Sequence, residues 1–131
     1  MKNISLMLAL AFLMMGATSV AFGGEIDSGL MQILDSTPPN QSVSVLVYLT
    51  GQANTDAITT QMDSQGATLK DRHETVVRAL QDMAGNTQGA ILNDLSALKA
   101  QGQIKSFEAF WLANCIRVDA PVSKIEEIAQ R

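Results

Sequence analysis

Alternation is the first order visible along the chain. Val43, Val45, Val47 and Leu49 fall on one face of an extended segment over residues 42–50, and Leu46 and Tyr48 make the other face partly apolar as well. A strand apolar on both faces expects cover on both, so 42–50 is predicted to be a central strand. Pro38 and Pro39 precede it and close a short helical stretch over 28–34. Gly51 stops the strand, after which Asn54 or Thr55 caps a short helix running through Ile58 and Met62 to Gly66.

From Arg72 onward the apolar spacing changes to three and four. Val76, Val77, Leu80, Met83, Ala84, Ile91, Leu95 and Leu98 then lie on one helical stripe. Gly85 and Gly89 interrupt it, and each costs roughly 1 kcal/mol against alanine in a helix interior. The pattern therefore predicts either one long helix with a soft centre or two helices bent at Gly85-Asn86. Gly102 marks the C-terminal stop.

Residues 104–113 read as a strand carrying Phe107, Phe110 and Trp111. Asn114 supplies a tight turn in the left-handed conformation, and Cys115 to Val118 returns as the partner strand of a hairpin. Pro121 ends it, because proline cannot donate to a ladder. Ser123, three residues before Glu126, has the spacing of a capping box for a last helix with Ile125 and Ile128 turned inward. The order strand, helix, strand, strand, helix predicts an α+β, ferredoxin-like β-α-β-β-α sandwich, its final β-strand absent, with a long helical insert after the first strand.

The N-terminus reads as an address rather than as fold. Lys2 supplies one positive charge, residues 4–16 form an apolar run, and Ser19-Val20-Ala21 offers small residues for a signal peptidase. The run falls short of the about 20 apolar residues that a bilayer span needs. A cleaved signal peptide over 1–21, and hence a secreted or periplasmic protein, is the expectation; an uncleaved anchor is the alternative. Residues 22–41 form a tether, and 42–131 one domain.

Charge and cysteine narrow the picture. After residue 21, the basic side chains stand singly at 70, 72, 78, 99, 105, 117, 124 and 131 against 13 acids. Nucleic acid would demand a clustered basic face, so it is set aside as a partner. Cys115 is the only cysteine, so no internal disulfide can staple the domain. Its apolar setting predicts a buried thiol.

The stretch Phe110-Trp111-Leu112-Ala113-Asn114-Cys115-Ile116-Arg117-Val118, followed by Ile125-Glu126-Glu127-Ile128-Ala129-Gln130-Arg131, resembles the end of the N-terminal propeptide of subtilisin-like serine proteases (peptidase S8), also called the peptidase inhibitor I9 domain. Val76 to Leu80 and Gln88 to Leu95 are similar to the helical insert of bacterial members. The resemblance covers roughly 43–131. It implies helices on one sheet face and a protease on the other, in cis or in trans, with the module acting as folding template and inhibitor. Phe107, Phe110, Trp111, Leu112 and Asn114 are the residues it offers for docking. Which of Phe107 and Trp111 or Phe110 and Leu112 point outward depends on register. The alternative is that both sets are core, with the helical insert covering the second face. The family's fourth strand and cleft-filling tail have no counterpart here, so inhibition is expected to be weak. The edge of 42–50 is expected to stand open to a protease, to another copy, or to nothing.

No catalytic constellation is visible. His73 is the only histidine and stands in Asp71-Arg72-His73-Glu74, where an exposed surface position is the plain reading. One Cys and one His do not make a usual zinc set, and Gly51-Gln52-Ala53-Asn54 lacks the lysine and glycines of a phosphate loop. Glu126 and Glu127 point different ways on a helix, and Asn40-Gln41-Ser42 matches a glycosylation sequon. The expectation is a non-enzyme with no cofactor, no metal and no small-molecule substrate, in contact with a membrane only through its signal segment. The rival expectation is a secreted ferredoxin-like adaptor or self-association domain with no protease partner.

Overall fold

The computed structural model describes residues 24–130. The expected signal segment and Arg131 lie outside the described residues. Three strands, β1 (Ser42–Tyr48), β2 (Ser106–Phe110) and β3 (Cys115–Pro121), form one antiparallel sheet in the order β1-β3-β2. Five helices accompany it among the described residues: α1 (Ser28–Ser36), α2 (Thr55–Ser64), α3 (Leu69–Thr87), α4 (Gly89–Ala100) and α5 (Val122–Ala129). The fold is thus mixed α+β.

Register decides the core. Ile116, Val118 and Ala120 of β3 are fully buried, and β1 places Val47, Val45 and Val43 beside them while β2 places Ala109 and Phe107 beside the first two. Helices cover this face with Leu34 of α1, Leu95 and Leu98 of α4, and Val122, Ile125 and Ile128 of α5; Ile104 joins them. Each such side chain contributes about 1.5–3 kcal/mol on burial. No disulfide holds the sheet to the helices, because the single Cys115 is a buried free thiol, as expected.

Several elements depart from the sequence reading. Among the described residues the segment over 42–50 is not central: β1 pairs with β3 alone, and the central strand is β3. Leu46 and Tyr48, which suggested a second cover, are exposed instead. The long helical stripe is two helices, and the break falls at Gln88 rather than at Gly85-Asn86. Gly85 lies inside α3, which runs through it to Thr87, with open space around its Cβ position. The strand over 104–113 is confined to β2, and residues 111–114 are a four-residue turn. No capping box opens α5: Pro121 occupies its N-cap without a side-chain hydrogen bond. The first N–H groups of α5 are satisfied from a distance, Val122 N donating to Gln41 O and Ser123 N to Pro39 O, both at 3.1 Å.

Other boundaries follow local chemistry. Asn54 caps α2 by accepting from Ala57 N at 2.9 Å. Gly66 and Gly102 end α2 and α4 with φ of 65° and 69°, a region that glycine enters without penalty. Helices α2 and α3 form a hairpin closed by an ion pair between Arg72 and Asp63 and by Arg72 Nε donating to Ala67 O at 3.1 Å. α2 buries none of its residues, and α3 buries only Ala84.

Candidate functional surface

Alternation sends Ser42, Ser44, Leu46 and Tyr48 of β1 to the sheet face opposite the core, together with Cys115, Arg117, Asp119 and Pro121 of β3 and Ser106, Glu108 and Phe110 of β2. Cross-strand register arranges them in rows. Ser44, Asp119 and Ser106 make a polar row, in which hydrogen bonds from the Ser106 and Ser44 hydroxyls hold the Asp119 carboxyl below the usual carboxylate range. Leu46, Arg117 and Glu108 make the next, with Arg117 Nη2 lying 3.2 Å from Glu108 Oε2. That pair is exposed and contributes at most about 1 kcal/mol. Tyr48, Cys115 and Phe110 make the last row, which is apolar.

Beyond the apolar row the chain turns through Trp111 and Leu112. Leu46, Tyr48, Phe110, Trp111 and Leu112 are respectively 50%, 63%, 37%, 40% and 66% accessible, so large apolar side chains concentrate at one end of this face. Cys115 sits between Tyr48 and Phe110 in register and remains buried.

Asn114 fixes the turn from inside. It is the only non-glycine among the described residues with positive φ, 41°, and it is buried. Its Nδ2 donates to Gly51 O and, at 2.9 Å, to Thr87 Oγ1; its Oδ1 accepts from Gln88 Nε2 at 3.0 Å. Gln88 Nε2 also donates to Phe110 O at 3.2 Å, and Leu49 N to Asn114 O at 3.1 Å. The hairpin tip, the break between α3 and α4, and the segment after β1 are thereby tied together.

Of the five residues read from sequence as a docking surface, Phe110, Trp111 and Leu112 come together at the surface. Phe107 lies on the core face, half-buried, with Lys99 Nζ 5.7 Å from its ring centre. Asn114 has no surface to offer. Sequence reasoning missed Leu46 and Tyr48 as members; their signal was present as apolar residues on the second face of β1, where it was read as a call for cover. His73 is exposed and borders a shallow hollow on α3 with Lys70, Glu74 and Val77. Among the described residues no three metal-ligating side chains converge, and no helix is long and apolar enough to cross a membrane.

No family model, no curated protein and no solved structure matches the chain.

Proposed function

We propose that this chain is a non-catalytic, propeptide-like module that binds, inhibits and assists the folding of a subtilisin-like serine protease, with the open sheet face as its docking surface. The observation that carries the reading is the concentration of Leu46, Tyr48, Phe110, Trp111 and Leu112 at one end of a sheet face that the helices leave bare. Exposed apolar clusters rimmed by polar groups mark partner sites, and tryptophan and tyrosine are over-represented among the residues that dominate binding energy. The polar rim is supplied by the Arg117–Glu108 pair and the Ser44–Asp119–Ser106 row.

The strand order supports the same reading. A ferredoxin-like sheet with β3 between β1 and β2, and helices following β1 and β3, accommodates β1-β3-β2 as three of its four strands, with the fourth place beside β1. Export by an N-terminal signal segment belongs to the proposal, since a subtilisin-like protease would be met outside the cytoplasm.

The test is inhibition and assisted refolding across a panel of subtilisin-like proteases by the purified protein. Slowed hydrolysis, or faster recovery of activity from denatured protease, is the expected result. A folded protein that does neither with any member, including one encoded beside it, would overturn the reading.

A further inference from the structure

The edge of β1 has a chemistry distinct from the face. Leu49 N donates to Asn114 O, which fixes the phase of the ladder between β1 and β3: bonded pairs alternate, so Val47, Val45 and Val43 exchange bonds with Ile116, Val118 and Ala120. The N–H and C=O groups of Ser42, Ser44, Leu46 and Tyr48 therefore point away from β3. Among the described residues no strand lies on that side, and all four residues are exposed.

Natural sheets protect such an edge with lysine, proline, a bulge or a very short strand. β1 has none of these. It is seven residues long, Ser-Val-Ser-Val-Leu-Val-Tyr, and its register against β3 runs without interruption. No charged residue stands anywhere between Asp35 and Asp56, although the chain carries a net charge of −4. Two copies can therefore meet along this strand without like-charge repulsion from its own residues, and its outer backbone groups have no strand beside them among the described residues.

We infer that two copies of this chain pair through β1, antiparallel and centred on Val45, joining two three-stranded sheets into one. The strand is self-complementary in that register. Ser44 falls opposite the partner's Leu46 and Ser42 opposite the partner's Tyr48, so every outward-pointing residue meets another outward-pointing residue and their N–H and C=O groups bond reciprocally. On the core face Val43 falls opposite the partner's Val47, and Val45 opposite its own copy; such β-branched pairs favour the pairing. The two open faces then lie side by side on one continuous sheet. The inference is independent of any protease.

Sedimentation velocity over a concentration series, with residue-level amide exchange at its two extremes, tests it. The expected result is a reversible monomer–dimer equilibrium in which the Ser44, Leu46 and Tyr48 amides gain protection with concentration, while those of Val43, Val45 and Val47 stay protected throughout. Leu46→Lys puts a like charge on each copy beside the seam and is expected to weaken the dimer several-fold, with Val43, Val45 and Val47 still protected as proof of folding. A single monomeric species at all concentrations overturns the inference. So does a dimer in which the Ser44, Leu46 and Tyr48 amides exchange as freely as in dilute solution.

Discussion

Gln88, at the break between α3 and α4, donates its side-chain amide to Asn114, at the tip of the β2–β3 hairpin, over 3.0 Å. Both residues are buried, and the same Gln88 amide reaches Phe110 O. The break in the helical stripe and the turn are therefore tied by one side chain: the residue at the break is the one that grips the turn carrying Trp111 and Leu112. In the low dielectric of the interior, a network of this kind is stabilising when complete and costly when one member is removed.

Asn114→Ala should accordingly be among the most damaging single changes in the protein. It removes the bonds to Gly51 O, Thr87 Oγ1 and Gln88 Nε2, the last two keeping only Met83 O and Phe110 O, and places a Cβ-bearing residue without a polar side chain at φ 41°, a combined cost of roughly 3 kcal/mol. Asn114→Gly keeps the backbone comfortable and should cost about 1–2 kcal/mol. Urea unfolding of the two variants would show this order; a glycine variant no more stable than the alanine one would contradict it.

Trp111→Ala and Leu112→Ala should behave in the opposite way. Leu112 is two-thirds exposed and should change stability by about 0.5 kcal/mol or less, while the partly covered Trp111 should cost about 1–2 kcal/mol, less than a core residue. Affinity for a cognate protease should fall tenfold or more for Trp111→Ala, as befits an aromatic anchor. A full-strength complex formed by the folded variant would count against the docking surface.

Core substitution provides the contrast. Ile116→Ala removes a fully buried side chain from the central strand and should cost about 2–5 kcal/mol by thermal or urea unfolding.

Acid should weaken the sheet through Asp119. Its folded-state pKa lies below the ordinary 3.8 because Ser106 and Ser44 donate to the carboxylate. A lowered folded value means that the stabilisation is fully present above the unfolded pKa and disappears as pH falls through the folded one. Unfolding midpoints measured from neutral pH downward should fall less steeply in acid for Ser106→Ala than for the unmodified chain.

Much of the architecture was legible because it rests on local periodicity. The valines of β1, the spacing of Leu95 and Leu98, and the left-handed demand met by Asn114 each carry their own signal. What escaped the sequence depends on partners far along the chain. The break falls at Gln88, whose side chain bonds Asn114 and Phe110 O far along the chain, whereas α3 runs unbroken through Gly85, the glycine that looked like a hinge. Ser123 makes no cap because α5 already begins at Val122 with Pro121 in the N-cap place, and Pro39 O receives the Ser123 N–H. On the surface, Phe110 and Leu112 could be placed only once the register of β2 was known, and Phe107 went to the core by the same rule. Leu46 and Tyr48 were misread because an apolar side chain states only that it avoids water, not whether its own chain or another will cover it.

The α2–α3 hairpin stands largely outside the core, with no buried side chain on α2 and Ala84 alone on α3. Its half-buried apolar residues, Ile58 and Met62 on α2 and Val76, Leu80 and Met83 on α3, are less deeply covered than the sheet's, which places it at the lower end of the protein's range of local stabilities. The molecule is in this sense two-tiered: a sheet locked at Asn114, and a helical hairpin that meets it at the C-terminal end of α3, where Thr87 Oγ1 accepts from Asn114. A cut in the exposed link between α2 and α3 would leave α3 joined to the sheet through Thr87 and Gln88, the residues that hold the turn carrying Trp111 and Leu112.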